Sequence, residues 1–187
     1  MKRVFLIHGW DGNPQNHWFP WLRAELVARH FKVFGPQMPH AAHPKVSEWL
    51  GMLSEWVGKP DEETFFVGHS LGCIAIARHI ASLSPKATIG GAVFVAGFSG
   101  NINIPEIAEF YTLPFEPEKV RVRGGKFVAI FSDNDPYVPL DKALEFARDV
   151  GAKTILEKGR GHFEVRALPS VFEAVLSIGA SSLNPKP

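Results

Sequence analysis

Short apolar runs alternate along this chain with longer stretches in which apolar residues recur at helical spacing, and this alternation constrains the fold most strongly. The predicted strands cover residues 4–7, 31–34, 64–67, 92–96, 127–131 and 154–156. The predicted helices cover residues 15–30, 46–57, 71–83, 140–147 and 168–176. This order predicts a parallel sheet covered by helices on both faces. Ligand sites in such sheets lie at the carboxyl ends of strands, so functional residues are expected directly after strands.

One stretch interrupts the alternation. Residues 98–123 contain three prolines and four aromatic residues, with no clear strand or long helix. Irregular stretches of this length are usually functional, so we predict a short lid or loop insertion here. The 187 residues suit a single domain over residues 1–180, with residues 181–187 as a tail. Because only residues 98–123 could cover a site, we expect a minimal cap domain or none.

Charge and cysteine content restrict the partners and the compartment. The net charge is +1, from 20 basic and 19 acidic side chains, so nothing favours nucleic acid or an acidic membrane as partner. A single cysteine excludes an intramolecular disulfide and fits a reducing compartment. The apolar run after Arg3 ends at His8, too short for a signal peptide, and no run is long enough for a membrane helix. We therefore expect a cytoplasmic protein.

A candidate nucleophile follows the third predicted strand. Residues 68–72, Gly-His-Ser-Leu-Gly, match the G-x-S-x-G pattern and open a helix. In an α/β-hydrolase fold this pattern places Ser70 on a strained strand-to-helix turn, with the helix N-terminus beside the developing oxyanion. The sequence therefore predicts an α/β-hydrolase fold with Ser70 as nucleophile. Cys73, a rival on chemistry alone, is expected to be a buried structural thiol.

The oxyanion donors are predicted from two loops. Residues 8–12, His-Gly-Trp-Asp-Gly, directly follow the first strand, where this fold places its second donor. The expected donors are the backbone N–H groups of Trp10 and Leu71, and His8 is expected to be structural. The residues expected to line the substrate pocket are Trp10, His69, Phe98 and Phe163.

The base and the acid are predicted from chain order. Of eight histidines only His162 follows the last strand, between Gly161 and Phe163, and the order serine, acid, histidine suits this fold. Both Asp133 and Asp135 follow the fifth strand. Asp135 is preferred because it lies deeper in the loop and Pro136 restricts its backbone, whereas Asp133 suits a role in the turn.

Neither a metal nor a cofactor is predicted. His40 and His43 are spaced like a metal-binding pair, but prolines flank them and no cluster of further ligands accompanies them. The chemistry predicted for Ser70, Asp135 and His162 needs neither.

Taken together, these residues resemble the retinoblastoma-binding-protein-nine-like serine hydrolases, a compact α/β-hydrolase family with bacterial members. The resemblance covers nearly the whole chain. It rests on residues 8–10, Trp18, Trp21, Pro39, Trp49, Ser70, Asp135, Pro136 and residues 161–163. It implies a Ser70, Asp135 and His162 triad without a cofactor, acting on small esters or amides. The retinoblastoma-binding motif L-x-C-x-E is absent, since Ala75 stands where glutamate is required, so no such partner is expected.

The function expected from the sequence is hydrolysis of a small-molecule ester or amide through an acyl-enzyme on Ser70. A carboxylesterase and an amidase or aminopeptidase are both compatible with the motifs. Two alternatives remain open: a non-catalytic ligand- or protein-binding module on the same fold, and acyltransferase or perhydrolase chemistry. A preference for short-chain substrates is expected, with aromatic residues of the 98–123 stretch and Trp10 forming the pocket.

Overall fold

Six short strands rich in valine, isoleucine and phenylalanine form one sheet in the computed structural model, which describes residues 1–180. The strands are β1 (Arg3–Ile7), β2 (Lys32–Phe34), β3 (Thr64–His69), β4 (Gly91–Val95), β5 (Lys126–Ser132) and β6 (Lys153–Glu157). Their spatial order is β2-β1-β3-β4-β5-β6, and every neighbouring pair is parallel. The prediction of a parallel sheet is confirmed. The predicted tail, residues 181–187, lies outside the described residues.

The helices cover both faces of the sheet. They are α1 (Phe19–Val27), α2 (Val46–Val57), α3 (Leu71–Ser82), α4 (Glu109–Thr112), α5 (Pro117–Arg121), α6 (Leu140–Val150) and α7 (Pro169–Ala180). Because strand side chains alternate between faces, Phe5 and Ile7 pack with α2 and α3, whereas Val4 and Leu6 pack with α1 and α7. Each apolar side chain buried in this way contributes roughly 1.5–3 kcal/mol of transfer free energy.

Two predicted elements differ from the structure. The helix predicted over residues 15–30 spans only Phe19–Val27, with a proline in its first turn. Before it, the side-chain oxygens of Asn13 and Asn16 accept backbone N–H groups and hold a turn. In the 98–123 stretch the chain forms a 3₁₀ turn at Pro105–Ile107 and the short helices α4 and α5, each ended within five residues.

The strand order creates a crevice at the carboxyl end of the sheet. From β1 the chain passes to β2 on one side, and then returns across β1 to β3 and the remaining strands. The loops after β1 and β3 therefore leave the sheet in opposite directions and open the space in which such folds bind ligands. Within residues 1–180, no helix is both long and apolar enough to cross a membrane.

Candidate active site

A cavity of about 290 Å³ opens at this crevice. Its lining comes mainly from the segments that follow β1, β3, β4, β5 and β6, so the carboxyl ends of five strands contribute to it. The lining residues are His8, Gly9, Trp10, Asp11, Gly12, Asn16, His17, Phe19, His69, Ser70, Ile102, Ile104, Ile107, Tyr137, His162 and Glu164. The cavity therefore brings the predicted nucleophile and the predicted base to one site.

Ser70 occupies the tight turn between β3 and α3. Its backbone has φ 53° and ψ −121°, a conformation that residues other than glycine rarely adopt. Its backbone N–H donates to the carbonyl oxygen of Val95 at 2.8 Å. Glycines at both flanks permit the turn. A Cβ on Gly72 would lie 2.3 Å from the carbonyl oxygen of Ile7, and one on Gly68 would lie 2.8 Å from a backbone nitrogen of α3. The G-x-S-x-G spacing is thus a steric requirement of this turn.

His162 and Asp135 form a nearly buried pair. His162 Nδ1 lies 2.8 Å from Asp135 Oδ2, and the two side chains are 10% and 4% exposed. Asp135 Oδ1 accepts the backbone N–H groups of Tyr137 at 2.9 Å and Val138 at 3.0 Å, which fixes the carboxylate. With Nδ1–H donating to the carboxylate, Nε2 of His162 is the nitrogen that carries the lone pair. The Asp135 carboxylate therefore fixes the orientation and the tautomer of the imidazole.

Asp133, the rival acid, contacts a different partner. Its Oδ1 accepts the N–H of Gly159 at 2.8 Å, and its side chain is exposed. The neighbouring Asn134 Oδ1 accepts the N–H of Gly161 at 2.8 Å. These two bonds tie the loop after β5 to the loop after β6 and so place His162 within reach of Asp135. The structure therefore places Asp135, and not Asp133, on the imidazole.

His69 binds the backbone of the loop that carries His162. It is buried, and its Nε2–H donates to the carbonyl oxygen of His162 at 2.8 Å. Burial among aromatic rings, including that of Trp18, lowers the pKa of His69 well below its usual value, and His162 and His17 lower it further. His69 thus stays neutral beside the position where His162 would carry a positive charge.

The residues predicted to supply the oxyanion donors lie near Ser70. Trp10 lines the same cavity as Ser70, and Leu71 is the first residue of α3, directly after Ser70. The loop carrying Trp10 packs tightly on the serine turn, because a Cβ on Gly9 would lie 3.1 Å from Ser70 Cβ. The Trp10 indole N–H donates to the carbonyl oxygen of Ala42 at 2.9 Å, which fixes the ring at the cavity mouth.

Two predicted pocket residues do not line the cavity. Phe98 and Phe163 are fully buried, on opposite faces of the sheet, and their rings belong to the two cores. The expected aromatic pocket wall is therefore corrected. The 98–123 stretch turns its aromatic side chains towards the core and presents aliphatic ones to the cavity. These are Ile102, Ile104 and Ile107.

Sequence reasoning missed the polar wall of the cavity. His17 and Glu164 both line it, and His17 has a positive φ of 52°. Burial lowers the pKa of His17, while Glu164 raises it. Tyr137 stacks edge-on with the His162 ring at 5.0 Å. Tyr137 follows Asp135 by two residues, and Glu164 follows His162 by two residues. Their positions in the loops after β5 and β6 could therefore have predicted that they lie near the site.

The other candidate residues have structural partners. Cys73 is fully buried, its Sγ donates to the carbonyl oxygen of Val95 at 3.3 Å, and burial raises the pKa of its thiol. His8 is buried with Nδ1–H on the carbonyl oxygen of Gly9 and Nε2 accepting the N–H of Met38. His40 pairs with Glu48 at 2.8 Å. Among the described residues, no three His, Cys, Asp or Glu side chains are grouped as a metal site.

Known proteins match this chain along nearly its full length. A family model described as serine hydrolase matches residues 4–177. YdeN of Bacillus subtilis (strain 168) is 31% identical over 181 residues, covering 94% of this chain and 95% of YdeN. The serine hydrolase RBBP9 of Rattus norvegicus is 25% identical, with 95% of each chain covered.

The solved structures agree. The crystal structure of the ydeN gene product from B. subtilis superposes with a TM-score of 0.89 at 30% identity, covering 96% of this chain and 100% of that one. The match confirms the predicted α/β-hydrolase architecture, and the relatives confirm the family resemblance. The chain therefore belongs to the serine hydrolase family.

Proposed function

We propose that this serine hydrolase cleaves small ester or amide substrates through an acyl-enzyme on Ser70. One observation carries the proposal: the strained Ser70 lines the same small cavity as His162, whose Nδ1 is bound by the Asp135 carboxylate. A serine hydroxyl is a weak nucleophile without an adjacent base, and an imidazole oriented by a buried carboxylate supplies that base.

The proposed reaction has two halves. Ser70 Oγ attacks the substrate carbonyl carbon while Nε2 of His162 takes the hydroxyl proton, and Asp135 stabilises the resulting imidazolium. The N–H groups of Trp10 and Leu71 bind the oxyanion of the tetrahedral intermediate. Collapse transfers the proton from His162 to the leaving alcohol or amine and leaves an ester on Ser70. In the second half, water attacks this ester while Nε2 of His162 takes the water proton. The second tetrahedral intermediate then collapses, His162 returns the proton to Ser70 Oγ, and the carboxylic acid is released.

The cavity favours short acyl groups. A volume of about 290 Å³ is at the lower end for ligand pockets. Ile102, Ile104 and Ile107 form its apolar wall, and Ile102 and Ile107 are themselves at most 9% exposed. We therefore expect kcat/KM to be highest on p-nitrophenyl acetate or butyrate and lower on octanoate and palmitate. A maximum at octanoate or longer would contradict this expectation.

The nucleophile is tested by labelling with a fluorophosphonate probe and by esterase assay. The variants are Ser70→Ala and Ser82→Ala, the latter at the far end of α3, where its hydroxyl bonds within the helix. Wild type and Ser82→Ala are expected to gain one probe mass, and Ser70→Ala none. Loss of the nucleophile should lower kcat by on the order of 10⁶. Absence of labelling in the wild type, together with absence of esterase activity, would reject the proposal in favour of a binding module.

A further inference from the structure

A buried arginine connects the nucleophile helix to the segment that walls the cavity. Arg78 lies on α3, two turns beyond Ser70, and is 8% exposed. Its guanidinium donates to three backbone carbonyl oxygens: Nε to Phe110 at 2.9 Å, Nη1 to Pro114 at 2.9 Å and Nη2 to Leu113 at 2.6 Å. All three acceptors belong to α4 or the residues directly after it.

These carbonyl groups need a partner from outside the segment. A helix leaves its last carbonyl groups without intrahelical donors, and α4 has only four residues. An unpaired carbonyl in a buried setting costs about 1–3 kcal/mol. The planar guanidinium, with five N–H groups in a fixed fork, can serve three acceptors at once, which an ammonium on a flexible stem cannot do in the same geometry. The ring of Phe115, 5.6 Å from Arg78 Cζ, covers it.

A second bond continues the connection to the cavity. The Tyr111 hydroxyl on α4 donates to the carbonyl oxygen of Ile104 at 2.9 Å. Ile104 belongs to the apolar wall, between Ile102 and Ile107. From α3, the contacts therefore run through Arg78 to the end of α4, and through Tyr111 to the wall. Ser70, directly before α3, lines the same cavity.

We propose that Arg78 and Tyr111 are positioning residues that fix the isoleucine wall relative to Ser70 and thereby exclude long acyl chains. Neither side chain lines the cavity, so both act through the backbone that they hold. The segment 102–115 is then a fixed wall and not an opening lid. The kinetic consequence of this inference rests on the proposed esterase function. The hydrogen bonds of Arg78 and Tyr111 themselves, which we call the clamp, are a property of the fold.

The kinetic test compares Arg78→Met and Tyr111→Phe with a matched control, Arg123→Met. Arg123 is also buried and donates to a backbone carbonyl, but its acceptor is Leu83, which lies outside residues 102–115. The readout is the ratio of kcat/KM on p-nitrophenyl octanoate to that on acetate. We expect this ratio to rise at least tenfold in Arg78→Met and about threefold in Tyr111→Phe. The control should keep the wild-type ratio, and kcat on acetate should stay within about threefold throughout.

Hydrogen exchange tests the clamp without relying on activity. Amides of residues 104–115 are expected to exchange at least tenfold faster in Arg78→Met, and faster in Tyr111→Phe, while those at the start of α3 keep their wild-type rates. If Arg78→Met does not fold, Tyr111→Phe decides both measurements. An active wild type with unchanged ratios and unchanged exchange in the variants would overturn the inference. A wild type without esterase activity or probe labelling would reject the proposed function instead, and exchange alone would then decide the clamp.

Discussion

Exchanging the carboxylate of Asp135 for an amide tests the site most sharply, because the loop geometry should survive. In Asp135→Asn the side-chain oxygen can still accept the N–H groups of Tyr137 and Val138, which Oδ1 accepts now. The amide NH₂ then replaces Oδ2, 2.8 Å from His162 Nδ1. Two N–H donors cannot face each other, so the imidazole must turn its Nδ1 lone pair to the amide and carry its proton on Nε2. His162 then cannot take the proton of Ser70.

The expected cost is about 10⁴ in kcat, or about 5 kcal/mol in transition-state stabilisation. The matched control is Asp133→Asn, two residues away in the same loop, whose oxygen can still accept the Gly159 N–H. The assay is kcat on p-nitrophenyl acetate at pH 8, with folding checked by circular dichroism. The reasoning is refuted if Asp133→Asn abolishes activity while Asp135→Asn stays within about tenfold of wild type.

Two further predictions concern stability. Gly72→Ala should lower the free energy of unfolding in urea by about 3 kcal/mol or more, because the added Cβ would lie 2.3 Å from a backbone oxygen. In the control Gly51→Ala, on α2, the added Cβ meets nothing within 4 Å, so this variant should be neutral or more stable by up to about 1 kcal/mol. Equal losses of stability in both variants would contradict the steric argument. Burial without a hydrogen-bond partner lowers the pKa of His79 in the folded protein to about 4. As the pH falls below about 6.5, the imidazole is therefore protonated in the unfolded chain but not yet in the folded one, which favours unfolding. The folded state loses stability in this way until the pH reaches about 4. The free energy of unfolding of wild type should drop by about 2–3 kcal/mol more than that of His79→Leu between pH 7 and 4.5; the same drop in both would show that His79 titrates normally in the folded state.

The family, the sheet and the strand-to-helix turn could be predicted because each depends on short-range signals. Alternation of apolar runs marks strands and helices, and the strained turn at Ser70 admits only small neighbours, so Gly68 and Gly72 mark it in the sequence itself. The start of a helix was harder to predict where side chains hydrogen-bond to the backbone and hold it in a turn. The turn held by Asn13 and Asn16 delays α1 until Phe19, four residues after the predicted start at residue 15.

By itself the sequence determined where the nucleophile, base and acid candidates lie, since each follows a strand and strand ends meet at one edge of a parallel sheet. Only the tertiary structure decided which side chains face the cavity. Phe98 and Phe163 are apolar residues in loops next to the site, but packing draws large rings into the two cores, where they bury more surface. The sequence preferred Asp135 over Asp133 as partner of His162, but the contact itself is made by the structure, through bonds between two loops 26 to 28 residues apart in the chain. Such contacts depend on how distant segments pack, and no local pattern encodes their direction.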